Sequence, residues 1–325
     1  MTRLSFTMYM IVLIAGLSVS QTLSAETEPK NSLQEQCSIA IVSQTIGSGT
    51  KVCDTDVVAR MARSGQTFAE NQMGIVSMLA IGPDFNTKQA LAWFQKAAQR
   101  GYAAAQVNLA VLYLNGWGTP VNNGAAQYWL HAAADQHFAR AYYNLGLVYF
   151  EGKGVRQDDA EAFRWFKKGA EAGDPTAEAD LGYLFDTGRG CARDAAQAAE
   201  WYRKAAQAGD PTGQNNLGDL YLKGEGVPQN DALAFTWFQK AAQQGQTGAR
   251  IKLASLYADG RGTKKSLETA YNWALAASQA GDPRAKELLH AVEKTLTPEQ
   301  IAEGQRRAEL LNSKGGELSA NNFVQ

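Results

Sequence analysis

The sequence predicts an all-α solenoid of helix–loop–helix repeats, and three observations carry that prediction. Six tryptophans, Trp93, Trp129, Trp165, Trp201, Trp237 and Trp273, each stand 36 residues after the last. Leucines, ring residues and Gly-x-Gly pairs recur at the same interval. Within an interval the apolar residues fall at helical spacing. A fixed period in this range marks stacked repeats that each pack only on their neighbours. It also turns the search for function from a single pocket toward an extended binding surface.

The array is preceded by a segment of different character. Arg3 is the only charge before Glu26, an apolar run of 12 residues extends from Met8 to Val19, and small and polar residues lead to Leu23-Ser24-Ala25. Residues 1–25 therefore read as a secretory signal cleaved after Ala25. The alternative, an uncleaved anchor, would need roughly 20 apolar residues. No Cys follows until Cys37, which argues against a lipid-bearing mature N-terminus, and no stable membrane span is expected after cleavage. Residues 26–56 form an N-terminal segment in which Cys37 and Cys53 could pair in an oxidising compartment, worth roughly 3 kcal/mol in loop-closure terms. Spacing alone does not establish that geometry. Cys191 is left over, and a catalytic thiolate there would need an activating neighbour.

The repeat array covers residues 57–294. Val57 to Gly65 matches the second half of a repeat, and Phe68 to Gly101 is a degenerate first full repeat that lacks Gly-x-Gly but keeps Asn86 and Trp93. Five regular repeats follow, and Pro283 to Lys294 matches a lone first helix. In the repeat starting at Ala103, Ala105, Leu109 and Tyr113 keep one face of a first helix apolar. Gly116-Trp117-Gly118 stops that helix. Ala126, Trp129, Ala132 and Ala133 then mark a second helix. Asn86, Asn122, Asp158, Asp194, Asn230 and Ser266 stand where a second helix needs an N-cap. Gly65, Gly101, Gly173, Gly209, Gly245 and Gly281 stand where a left-handed residue would end it, with His137 as the exception. Asp174-Pro175, Asp210-Pro211 and Asp282-Pro283 start the next first helix as cap and first helical residue. Thr297 caps a further helix, Ile301 to Leu311, within a capping segment 295–312, and residues 313–325 are expected to be a disordered tail.

Small residues let the helices approach, and the large rings fill the gaps between layers. The six tryptophans are accordingly assigned to the structural core; the alternative is a ladder for stacking a ligand. As a buried ring, Trp201 replaced by Ala is expected to cost about 3–5 kcal/mol.

The pattern Ala-x-x-x-Leu-Gly-x-x-Tyr…Gly-x-Gly-Val…Asp…Ala-x-x-Trp-Phe/Tyr-x-Lys-Ala-Ala…Gly, clearest in Ala141 to Gly173 and Gly213 to Gly245, resembles the Sel1-like repeat, a relative of the tetratricopeptide repeat. The resemblance covers residues 57–312. It implies a right-handed superhelix serving as an adaptor for protein complexes, and for a secreted bacterial member a periplasmic or secreted location. The missing Gly-x-Gly of the first repeat, His137, and Thr119 and Cys191 in place of the valine are departures that alter local loop shape.

Lys+Arg number 31 against Asp+Glu 32 with no basic block, so nucleic acid is not an expected partner. The three histidines, His131, His137 and His290, are not spaced to share a helix face. No catalytic, cofactor-binding or metal-binding residues are assigned. Some cysteine-rich relatives are linked to penicillin binding or β-lactam hydrolysis, and a β-lactam-binding or β-lactam-hydrolysing protein, or a cell-wall-related enzyme, of that type is the alternative reading. One Ser-x-x-Lys exists, at Ser48 to Lys51, without Ser-Asp-Asn or Lys-Thr-Gly partners.

A partner is instead expected on the first helices. Positions two before, two after and five after the core leucine lie on a face turned from it. They read Val107/Val111/Leu114, Tyr143/Leu147/Phe150, Ala179/Tyr183/Asp186, Asn215/Asp219/Leu222 and Ile251/Ser255/Ala258. A peptide groove centred on Tyr143, Leu147, Phe150 and Tyr183, joined by Asp186 and Asp219, is the resulting hypothesis, since exposed aromatics are costly unless used. The competing expectation is that these rings pack on the neighbouring second helix. The protein or peptide partner is unidentified, no cofactor is expected, and the chain is expected to be a monomer.

Overall fold

The computed structural model describes residues 55–79 and 86–313. The expected signal segment, the Cys37 and Cys53 pair, Ser48 to Lys51 and the tail from 314 lie outside the described residues. Among those described, every regular element is a helix: α1 (Thr55–Arg63), α2 (Thr67–Leu79), α3 (Thr87–Gln99), α4 (Ala103–Asn115), α5 (Asn123–Ala134), α6 (Ala139–Glu151), α7 (Asp159–Glu171), α8 (Pro175–Thr187), α9 (Ala195–Gln207), α10 (Pro211–Lys223), α11 (Asp231–Gln243), α12 (Thr247–Asp259), α13 (Leu267–Gln279), α14 (Pro283–Glu293) and α15 (Pro298–Ser313). The architecture is thus an all-α array of repeated helix pairs. Two compact units divide it, one holding residues 55–177 with Arg189–Cys191 and the other Glu178–Gly188 with the residues from Ala192 onward.

The repeat boundaries are built from local hydrogen bonds. Asn122 Oδ1 accepts from Ala125 N at 3.0 Å, and Asp194 Oδ1 accepts from both Ala196 N and Gln197 N at 3.0 Å. Each such cap satisfies orphan N–H groups of a first turn. The cap's own N–H donates back to the carbonyl of the ring residue that closes the first helix: Asn122 to Tyr113 and Ser266 to Tyr257, each at 2.9 Å. Thr297 and Gln300 form a reciprocal capping box at the start of α15, with Thr297 N donating to Gln300 Oε1 at 2.9 Å and Gln300 N to Thr297 Oγ1 at 3.3 Å. His137 keeps the left-handed conformation of the glycines it replaces, with φ of 57°. Its Nδ1 lies 3.1 Å from the Tyr142 hydroxyl, a contact that holds the unfavoured conformation.

The Gly-x-Gly pair serves a purpose beyond stopping the first helix. Gly188 is left-handed, with φ of 71°, as a helix end requires. The second glycine is left-handed as well, with φ of 70° at Gly190, and in addition admits a close neighbour: a Cβ on Gly190 would collide with the carbonyl of Asp159, and one on Gly262 with that of Asp231. Each loop therefore rests on the start of the preceding second helix, at a distance only glycine permits.

The cores are made of the recurring leucines, Leu109, Leu145, Leu181, Leu217 and Leu253, all fully buried. The residue after the leucine is matched in volume to a residue on the following second helix. A Cβ on Gly146 would fall 2.6 Å from the Phe166 ring, on Gly182 2.7 Å from Tyr202, and on Gly218 2.7 Å from Phe238. Where alanine replaces the glycine, at Ala110 and Ala254, the facing position shrinks to Leu130 and Ala274. Close packing enforces that exchange.

One expectation is corrected here. Of the six tryptophans only Trp273 is fully buried; Trp93, Trp129, Trp165, Trp201 and Trp237 are half-buried. In four of those five repeats the fully buried ring is the next residue, Phe94, Phe166, Tyr202 or Phe238. On a helix of 3.6 residues per turn, adjacent positions differ by about 100°, so both cannot face the same core. The tryptophans occupy the seam instead: Trp165 joins Ala126, Leu130 and Ala133 of α5, and Trp237 joins Ala198 and Tyr202 of α9. A lysine one turn on covers the outer face of the ring, 4.4 Å from the centroid at Lys168 over Trp165 and 3.7 Å at Lys204 over Trp201. The cost expected for Trp201 replaced by Ala falls accordingly, to about 2 kcal/mol for a half-buried ring.

Candidate partner-binding surface

The first helices carry the candidate surface, and each unit presents its own part of it. In the unit of α1 to α7, Val107, Val111 and Tyr143 are buried and Leu114, Leu147 and Phe150 half-buried. Tyr143, 7% exposed, is held between the Phe166 ring at 5.8 Å and the Arg140 guanidinium at 5.1 Å. Arg140 and Asp174 are themselves a buried ion pair, with Nε 3.0 Å from Oδ2, and Arg140 Nη1 also donates to Thr176 Oγ1 at 3.3 Å. A charge pair so buried is tolerable only with such additional partners. Phe150 lies under the Arg189 guanidinium at 4.1 Å, and Arg189 forks onto Asp159 through Nε to Oδ2 at 3.0 Å and Nη2 to Oδ1 at 2.7 Å. Its ring is a platform for that ion pair.

Tyr143 is thus buried rather than open to a partner, while Phe150 and Leu147 are half-buried. Within each unit first helices touch, α4 on α6 and α12 on α14. Asn108 Nδ2 of α4 donates to Asn71 Oδ1 of α2 at 2.9 Å, and Lys252 Nζ of α12 donates to Asn215 Oδ1 of α10 at 3.2 Å. The register of 37 residues in both bonds shows a residue just before one core leucine reaching the residue two before the equivalent position of the previous first helix, Met73 or Leu217. Helical spacing says which side chains share a face but not what that face meets.

In the unit of α9 to α15 with Glu178–Gly188, the same positions mix apolar residues with polar and acidic ones. Ala179 and Asn215 are buried, while Tyr183 is 38% exposed. Asp186 is paired with Arg193 at 3.7 Å, and its carbonyl accepts from Arg193 Nε at 2.7 Å. Asp219 is paired with Lys252. Burial pushes the Tyr202 phenol well above its ordinary range, Asp186 and Asp180 raise it further, and a hydrogen bond with Asn216 works in the opposite sense. That hydroxyl is therefore neutral and unsuited to act as a base near pH 7. Of the six proposed contact residues, Tyr183 is the one with an exposed ring; Asp186 and Asp219 have intramolecular partners, and Leu147 is half-buried.

The groups considered for catalysis are spread apart. His131, His137 and His290 are exposed; His131 sits edge-on to Trp165 at 5.7 Å. Burial raises the Cys191 thiol, which disfavours the thiolate. Among the described residues no three His, Cys, Asp or Glu side chains are grouped to hold a metal ion, and no helix is long and apolar enough to cross a membrane. A recess of about 660 Å³ lined by Tyr149, Val155, Arg156, Gln157, Asp158 and Asp159 brings no nucleophile and base together.

Helix pairs at a fixed period, loops seated by glycine and cores closed repeat by repeat define a helical-repeat protein of the α-solenoid class. The chain belongs to the Sel1 repeat family, whose signature matches residues 68–102, 103–138, 139–174, 175–210, 211–246 and 248–282. Sel1 repeat proteins generally act as protein-interaction scaffolds. Among solved structures the chain is similar to a Sel1 repeat protein from Oxalobacter formigenes, with 28% identity over 70% of this chain and 100% of that one and a TM-score of 0.62. It is also similar to a protective antigen present in uropathogenic Escherichia coli strains that displays an SLR fold, with 24% identity, 87% and 68% coverage and a TM-score of 0.48. No curated protein matches the chain.

Proposed function

We propose that this chain is a non-catalytic scaffold, exported to the periplasm or beyond, that holds a protein or peptide partner on the first-helix surface around Tyr183. The observation that carries the reading is the Tyr183 ring itself. It stands 38% exposed three residues before Asp186, which is paired with Arg193, in the unit where Lys252 also pairs with Asp219. A rigid aromatic beside fixed polar groups is the composition of an interface anchor. Export is supported by the composition of residues 1–25, and a mature chain beginning at Glu26 is expected in the periplasmic or secreted fraction.

The test is a photoreactive residue at position 183 in the chain expressed in a Gram-negative host. A discrete adduct with one protein of the cell envelope, reduced at least tenfold by an unlabelled Tyr183 chain but not by a Tyr183→Ala chain, is the expected result. Absence of any adduct above that obtained from an exposed control position would overturn the assignment. A covalent adduct of the purified chain with a labelled penicillin would overturn the non-catalytic reading.

A further inference from the structure

Residues 101–134 contain no Asp, Glu, Lys or Arg, 34 positions in a chain of which 19% is charged. Within this stretch α4 is largely buried, but α5 is an outer helix, and its surface residues depart from those of the other regular repeats. Tyr128 stands where the others carry Arg164, Glu200, Thr236 and Asn272, and Val121 where they carry Gln157, Arg193, Gln229 and Lys265. Ala132 replaces the lysine that covers the tryptophan in α3, α7, α9 and α11. Tyr128 is 65% exposed and Val121 59%. Neither exposure is explained by packing within the repeat, which the other repeats achieve with charged or polar groups at the same places.

We propose that this face of α5 is a contact surface for a second copy of this chain, the two helices lying antiparallel about a twofold axis. Charge selects the occupant. Around a twofold axis a side chain meets its own counterpart, so any charge near the axis faces a like charge. Among the second helices of the full repeats described, α5 alone has no Asp, Glu, Lys or Arg; α7 has Arg164, Lys167 and Lys168 on its outer side, and α9 has Glu200, Arg203 and Lys204. Among these helices it is the one that can meet itself at any register without bringing Asp, Glu, Lys or Arg into a like-charge contact.

Shape agrees with charge. The Tyr128 ring is held edge-on against Trp129, with centroids 5.0 Å apart, and so projects as a fixed knob. One turn back, Gly124 has no side chain, and a Cβ there would meet only its own cap, Asn122, at 3.7 Å. Gly124 and Ala125 form a notch beside the knob, because positions three and four apart share a helix face. With the axis between Ala125 and Tyr128, each ring enters the notch of the other copy. One helix face is small beside the roughly 800 Å² per partner of a standard interface, so the dimer belongs to the weak class.

Sedimentation of the processed chain from micromolar to millimolar concentration tests this. The expected result is a concentration-dependent shift toward the dimer mass, kept in Tyr128→Phe and weakened at least tenfold in Tyr128→Lys, which places two ammonium groups near the axis. Tyr128 is exposed, so both variants should show the parent's thermal melt. A photoreactive residue at position 125 should link to the peptide containing Tyr128 of a second, isotopically distinct copy. A monomer mass at every concentration would overturn the proposal, as would self-association unaltered in Tyr128→Lys. So would a monomer that instead binds phosphatidylcholine vesicles through Tyr128, which would make the patch a lipid-facing one. None of these results depends on Tyr183.

Discussion

The second helix of an interior repeat, α7, and that of the last full repeat, α13, share a tryptophan in register but bury it differently. In α7 the Phe166 ring fills the core, and Trp165 lies half-buried, stacked near Tyr142 at 6.0 Å and covered by Lys168. In α13 the residue after the tryptophan is Ala274, and Trp273, only 2% exposed, takes the core position itself. Leu288 and Leu289 of α14 join the clusters around Trp273 and Tyr271. Helix α15 then covers what would be the outer face: Gly304 approaches so closely that a Cβ would fall 2.5 Å from the Tyr271 ring. Tyr271 and Asn272 are buried, whereas their counterparts Phe163 and Arg164 are half-buried and exposed. An array end thus converts a solvent-facing helix into core, as a terminal repeat must to hide its apolar face. The same letter in the same register therefore has a different energetic role.

The largest effect that would break this comparison is its direct measurement. Trp273→Ala should cost about 3–5 kcal/mol, against about 2 kcal/mol for Trp165→Ala, from denaturant midpoints at unchanged m-value. Equal losses would mean that burial does not distinguish the two sites. Next in size is the matched pair behind α7. Gly146→Ala should cost about 1–3 kcal/mol, because the added methyl meets the Phe166 ring. Adding Phe166→Leu should recover part of that loss, recreating the native Ala110 and Leu130 combination; a cycle with no coupling would show the exchange to be accidental.

The smallest effect is a pH dependence that α13 has and α7 lacks. Burial raises the Tyr271 phenol, Glu293 raises it further, and a hydrogen bond with Gln305 works against them. The folded state therefore favours the neutral phenol. Stability from this group is fully present below the unfolded value near pH 10 and is lost as pH rises above it toward the folded value. Thermal melts between neutral pH and the alkaline range should fall less steeply for Tyr271→Phe than for the parent chain. Parallel curves would show that Tyr271 titrates as it does when unfolded. Helix α7 has Phe163 at this position and no corresponding group.

Much of the fold is legible in the sequence. The caps are marked by type and place: Asn122, Asp158 and Ser266 precede the helices they cap, as do Asp174 and Asp210 ahead of their prolines. Thr297 and Gln300 are marked in the same way. The exchange of Gly146 with Phe166 for Ala110 with Leu130 is present in the sequence too, as paired changes 20 residues apart. It is silent there because neither residue departs from its own local pattern, and only their contact links them. The candidate site is far less legible. Tyr143 and Phe150 lie at helical spacing consistent with exposure, yet Arg140, Phe166 and Arg189 cover them. The clearest surface signal, the charge-free stretch around Tyr128, is an absence within a repeat rather than a motif.

The amino-acid sequence alone determined the period, the helices, their caps and the all-α repeat class, because each depends on a few residues within one or two turns. Tertiary structure alone decided which tryptophan is core, why the second glycine of each loop must be glycine, and which first-helix side chains remain open to a partner. Those properties depend on what comes to lie against a face, and that neighbour is placed by contacts some 30 to 37 residues away, as Arg189 on Asp159 and Lys252 on Asn215 show.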